Sequence, residues 1–169
     1  NGGLGINLVS DAGEDRNGVT PNDPTDADTG PNELQNFPEI TAVTINGRDT
    51  RIQGTFRSEP GNYTLEFFRN SGPDPSGANE GELFFTSESV TVPASGVLPF
   101  DITRGTFVVP GGSVFTATAT DAAGNTSEFF NLVSADSLQF GAPEYSVSES
   151  AGNATITVTR SGTLGGVAS

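Results

Sequence analysis

Apolar and polar residues alternate with a period of two through most of this chain, and Gly, Pro, Asn and Asp interrupt the alternation at short intervals. That is the pattern of half-buried strands joined by turns, and runs with helical spacing are nearly absent. Strands are predicted near Ile40–Ile45, Arg51–Phe56, Tyr63–Arg69, Glu88–Val92, Val97–Thr103, Ser113–Thr120 and Ser127–Val133. The alternation also assigns faces: Tyr63, Leu65 and Phe67 share one, Leu98, Phe100 and Ile102 another, and Phe115, Ala117 and Ala119 a third. Small alanines opposite large phenylalanines let two facing sheets interdigitate.

About seven short strands at this rhythm predict an all-β, Ig-like antiparallel β-sandwich, spanning residues 37–135. Before it, residues 1–36 begin with a short apolar strand, Leu4 to Val9, and continue as a long acidic linker rich in Gly and Pro. A loop of that length is expected to be functional, ligand-ordered or disordered. After it, Ser134–Ser137 reads as a polar joint into a terminal hairpin, residues 136–169, whose strands are Tyr145–Ser148 and Ala154–Thr159. Two strands alone are marginally stable in water, so the hairpin is expected to need a partner outside itself.

The charge changes this picture by narrowing the partners. The chain has 21 acidic and 7 basic residues, a net of -14, which disfavours phosphate backbones and anionic lipid; nucleic-acid binding and membrane insertion are not expected. No run approaches the ~20 apolar residues that span a bilayer. Cys, His, Met, Trp and Lys are all absent, which removes thiolate and imidazole chemistry, disulfides and the usual zinc or copper ligands. Acidic residues fall in loops with no base beside a nucleophile, so the chain is read as not an enzyme. Asn1, with no initiator Met and no leader pattern, is expected to be a processed or excised start.

Carboxylates and amides remain as the candidate chemistry. In "NDPTDADTGPN", Asn22, Asp23, Asp26, Asp28 and Asn32 offer the oxygen ligands that calcium takes, with Gly30 nearby and Asp11, Glu14 and Asp15 available to close the shell. The same residues also fill turns because their side chains mimic a backbone turn, and both readings stand. Asp121 in "TDAAGNTSEF" invites the same pair of readings, with a tight turn at Gly124 or Asn125.

"GGLGINL", "NDPTDADTGPNELQNFP", "YTLEFF" and "VFTATATDAAGNTSEF", in that order, resemble the Ig-like module that follows a right-handed parallel β-helix in large secreted bacterial proteins. "LQFGAPEYSVSESAGNATITVTRSG" resembles the opening of a Calx-beta domain. The first resemblance implies that "GGLGINL" is a last β-helix rung. The second implies that Glu149 stands where that family places an acidic calcium ligand. Together they imply a protein that is secreted or on the bacterial cell surface.

The expected function is therefore an extracellular structural or adhesive subunit, a head-to-tail assembly of copies of itself. Unpaired strand edges at both ends would supply the contacts, with Leu4, Ile6 and Leu8 at one end and Phe140, Tyr145, Val147, Ile156 and Val158 at the other. The alternatives are a calcium-dependent module binding a glycan or host ligand, through exposed aromatics such as Phe84 and Phe85, and an inert spacer in a larger protein.

Overall fold

The computed structural model describes residues 4–8, 18–73, 80–105, 108–142, 144–148, 150 and 152–161; the expectations for Val9, Asp11, Glu14, Asp15 and Glu149 lie outside them. Among the described residues a 3-10 turn, Pro31–Leu34, precedes eight strands. These are β1 (Glu39–Asn46), β2 (Asp49–Arg57), β3 (Gly61–Asn70), β4 (Leu83–Val92), β5 (Val97–Arg104), β6 (Val114–Asp121), β7 (Phe130–Phe140) and β8 (Val158–Ser161).

The strand order is β4-β3-β6-β7-β1-β2-β5, with β8 added on β7. All pairings are antiparallel except β1 with β7. β7 joins two layers: its first half pairs with β6, as at Phe115↔Val133, and its second half with β1, as at Val43↔Ala135. Three strands and the end of β7 thus face three strands and its beginning. This is an all-β sandwich with one parallel pairing where an antiparallel one was expected, nearly closed into a barrel. On the open side Arg104 of β5 reaches Thr86 Oγ1 of β4 at 2.9 Å and also bonds Glu88, tying the layers together.

The alternation dictates the core. Ile40, Val43, Ile45, Ile52, Phe56, Phe100 and Ile102 from one layer meet Tyr63, Leu65, Phe67, Phe115, Ala117 and Ala119 from the other. Phe67 and Phe100 meet edge to face at 5.5 Å, and the alanines of β6 leave room for them. Gly54 is obligatory for a steric reason. It sits opposite the bulge between Ile40 and Ala42, and a Cβ there would lie 2.3 Å from the Glu39 carbonyl oxygen and 2.4 Å from the Phe100 ring.

Four expectations are corrected. Leu4–Leu8 forms no strand. β4 starts at Leu83 rather than Glu88, so "LFFTS" is strand, with Phe85 turned in against Phe115 (5.3 Å) and Phe84 turned out. Ser134–Ser137 is not a joint: β7 runs unbroken through it, because Ala135 faces inward to pair with Val43 while Asp136 faces outward beside Thr44. Finally, Tyr145–Ser148 is not a strand, and the last strand is Val158–Ser161 rather than Ala154–Thr159. The partner of that strand is β7 of the same chain, with Phe140↔Val158 and Leu138↔Arg160 in register.

Candidate functional site

The acidic linker lacks regular structure yet is tied down by side-chain amides that imitate a strand ladder. The Asn22 amide donates to the Phe37 carbonyl and accepts from the Phe37 N–H, both at 2.9 Å. Asn36 does the same to Asp23 at 2.9 and 3.0 Å, and also donates to the Arg57 carbonyl at 3.0 Å. A buried backbone must find partners somewhere, and here amide side chains supply them.

These ties bring three aspartates together. One carboxylate oxygen from each of Asp23, Asp26 and Asp28 lies within 4.8 Å of the others, and these are the residues that could hold a cation. The chain itself already occupies much of the cluster. Asp23 accepts from the N–H groups of Asp26 and Ala27, the latter at 3.3 Å, which supports the left-handed backbone of Asp26 (φ 55). Asp26 turns inward: Oδ1 accepts from Asn36 N at 2.8 Å, while Oδ2 accepts from Gln35 Nε2 at 2.5 Å and from Ser58 Oγ. Hydrogen bonds within the chain thus already engage the carboxylates of Asp23 and Asp26.

Burial raises the pKa of Asp26; hydrogen bonds from Ser58, Asn36 and Gln35 oppose the shift without cancelling it, and the charge of Asp23 adds to it. Asp28 is raised as well, by burial and then by Asp23. Burial likewise raises Tyr63, opposed by its contact with Ser58 and reinforced by the charges of Asp26, Asp121 and Glu59.

Asp26, Asp28, Glu33, Glu59, Tyr63 and Asp121 line a groove of about 330 Å³. Asp121 thus joins the linker aspartates, whereas Asn22 is spent on Phe37 and Asn32 lies exposed on the 3-10 turn. Asp121 also builds its own turn: its carboxylate accepts from the N–H groups of Ala123 and Asn125 and from the Asn125 amide, each at 2.8 Å, around Gly124 at φ 95. Burial pushes Asp121 up, but the hydrogen bonds from Asn125, Ala123 and Gly124 outweigh it and leave the pKa below the usual aspartate value. Ser58, Glu59 and Tyr63 are distant from the linker in the chain, and Gln35, though within it, is ordinary in its setting, so none of them carries a local sequence signal for this site.

A second anchor was not legible in the sequence at all. Glu128, 1% exposed, accepts from Leu8 N at 2.6 Å through Oε1 and from Thr20 N at 2.5 Å through Oε2. Thr20 Oγ1 completes the clasp by donating to the Leu8 carbonyl at 2.8 Å. Leu8 is consequently buried within its own chain, and Leu4 and Ile6 are half-buried, so this segment does not present the free edge expected of it.

The C-terminal ribbon is the reverse case. Inward positions on β7 are set by Ala135 opposite Val43, which puts Asp136 on the outer face, and Phe140 is exposed as well. Along one strand the apolar residues therefore change sides, from inward at Val133 and Ala135 to outward at Phe140. Val158 follows Phe140 as its cross-strand partner. Phe140 is 71% exposed, Val147, Ile156 and Val158 are each 55% exposed, and Tyr145 is exposed too. The ribbon is nonetheless tied to itself: Gly141 N donates to the Thr157 carbonyl at 2.7 Å, Tyr145 OH donates to the same oxygen at 2.6 Å, and Arg160 pairs with Asp136 at 3.0 Å.

Of the aromatics considered for ligand stacking, Phe85 belongs to the core. Phe84 is exposed but meets Phe68 edge to face at 6.0 Å, and Phe68 meets Phe129 the same way at 5.2 Å, a corrugated surface rather than a flat platform.

The fold thus defines an all-β, sandwich-class protein. No family model matches the chain, and no curated protein is significantly similar to it. No helix among the described residues is long and apolar enough to cross a membrane.

Proposed function

We propose that this chain is a structural or adhesive subunit of an extracellular, bacterial-surface assembly, associating head to tail through its C-terminal ribbon. The observation that carries this reading is the reversal of apolar alternation along β7. A strand whose apolar side chains point away from its own core is built to cover a second one. Among the described residues β8 pairs with β7 alone, so its other edge can continue the sheet with a strand from a neighbour. Burying each of Ile156, Val158 and Phe140 on a neighbour contributes roughly 1.5–3 kcal/mol. The contact is heterologous and need not close, which suits a fibre or array. Because Leu8 is clasped by Glu128, the ribbon is the donor and the N-terminal segment is not.

With a net charge of -14 the copies repel, so assembly strengthens as salt screens them. Sedimentation velocity of the full chain across protein and salt concentration tests this, alongside the double variant Ile156→Asp/Val158→Asp. Oligomers that grow with both concentrations in the wild type and vanish in the variant, at unchanged melting temperature, are the expected result. A wild type that stays monomeric throughout, or a variant that assembles equally well, refutes the proposal.

A further inference from the structure

Strand directions give the molecule two unlike ends. β1 stops at Asn46 and β2 starts at Asp49, so their turn, Gly47 and Arg48, marks one end. β7 runs parallel to β1, with Ile45 opposite Ser137, and so carries the C-terminal ribbon out past that same end. β2 finishes at Arg57 beside Ser58, and Tyr63 near the start of β3 pairs with Asp121 at the close of β6, which puts the acidic groove at the other end. The 9 residues of β2 hold the two ends about 30 Å apart.

Each end carries charge that its own chain leaves uncompensated. Arg48 is exposed and makes no ion pair or hydrogen bond among the described residues, whereas Arg51, Arg57, Arg104 and Arg160 each hold a carboxylate. The groove is lined by Asp26, Asp28, Glu33, Glu59 and Asp121 and by no basic residue. Among the described residues the Glu33 and Glu59 carboxylates have no donor. Gln35, buried at 6% exposed, lines the groove too. Its Nε2 is spent on Asp26 and on the Asn36 carbonyl, two acceptors that fix which way the amide points. Gln35 Oε1 accepts no hydrogen bond among the described residues, so a buried side chain brings the groove an acceptor that lacks a donor.

We infer that the groove receives a second copy of this chain, which inserts Arg48 from its β1–β2 turn. This contact rests on head-to-tail association through the ribbon and gives that association its receiving end. A guanidinium presents five donors in a planar fork, which suits carboxylate oxygens and an amide oxygen together. Arg48 lies too far from the groove of its own chain to enter it, so the contact joins two copies, and because the two ends differ it is heterologous. The ribbon leaves from the Arg48 end, so one docking event brings both to the neighbour. Charge also fixes the direction, since two groove ends facing each other repel.

The test is sedimentation velocity of the full chain in EDTA, at the salt concentration where the wild type assembles. Two variants are compared with it, both at side chains without a partner, so the melting temperature should not change. Arg48→Gln should weaken association about thirtyfold or more. Glu33→Arg/Glu59→Arg should do the same, although it makes the chain less acidic and would strengthen an association governed by net charge alone. An equimolar mixture of the two variants should sediment as a dimer, because the intact Arg48 of one fits the intact groove of the other and their remaining ends cannot pair. Either variant assembling as well as the wild type overturns the proposal, as does a mixture that stays monomeric. If Ile156→Asp/Val158→Asp still abolishes assembly in that case, the role of the ribbon stands and only the receiving end is wrong. A wild type that stays monomeric throughout overturns both. A wild type that assembles only after calcium chloride is added in excess of the EDTA puts a metal ion in the groove in place of Arg48, and overturns the proposal too.

Discussion

Replacing Glu128 with Gln isolates the clasp on the N-terminal segment. The carboxylate is buried and accepts two backbone N–H groups, at 2.6 Å from Leu8 and 2.5 Å from Thr20. A carboxylate offers two acceptor oxygens, whereas a carboxamide of the same shape offers one and turns an NH₂ donor toward the other N–H. One charge-assisted bond becomes a neutral one and the second becomes a donor facing a donor. Hydrogen bonds to charged groups contribute about 1.5–3 kcal/mol each, and a buried unsatisfied donor costs about 1–3 kcal/mol. A loss of about 2–4 kcal/mol is expected, concentrated on residues 4–8 and 18–20 because the sandwich core is complete without them. The assay is amide hydrogen exchange by NMR. Leu8 and Thr20 should lose roughly 30- to 1000-fold in protection, while Leu65 and Ala117 in the core change little. Unaltered protection at Leu8 and Thr20 would show that the clasp does not hold the segment, and a uniform loss would show that it belongs to the global fold.

Two further substitutions test the sandwich and the groove. Gly54→Ala drives a methyl against the Glu39 carbonyl and the Phe100 ring, so the strand or the ring must shift; a loss of about 2–4 kcal/mol in urea unfolding is expected, and a neutral effect would mean the bulge yields freely. Asp121→Ala removes the acceptor of two turn N–H groups and the Asn125 amide, and at neutral pH it should cost about 1–2 kcal/mol. Because Asp121 is lowered in the folded protein, its stabilisation is present above the ordinary aspartate pKa and is lost as pH falls through the lowered value, so the variant's deficit should shrink in acid. Asp26 has the opposite sign: raised by burial, it disfavours the folded state above its folded pKa and regains that stability as pH falls through it.

Much of the sandwich is legible in the chain because a period of two is a local property. Tyr63, Leu65 and Phe67 need no knowledge of a partner to share a face, and the strands around them fall where the pattern places them. The start of β4 was hidden because Leu83, Phe84 and Phe85 are consecutive apolar residues. Their faces are decided by a shift in register against β3, where Phe67 pairs with Thr86 but Phe68 with Phe84, that no local pattern records. β7 was cut short for a related reason: a polar run looks like a joint unless it is known that Ala135 has a partner in β1.

The sequence by itself determined the all-β class, most strand positions, the core-facing residues and the acidity of the linker, since each follows from neighbours a few positions apart. Tertiary structure alone decided which carboxylates converge, because Asp26, Gln35 and Ser58 meet only once the linker folds over the end of β2. It decided too that Glu128 clasps Leu8, across 120 positions of chain. Above all, it decided that the apolar side of the last strands faces outward. Alternation gives the two faces of a strand but not which of them meets the core, and that choice rests on the pairing of Ala135 with Val43.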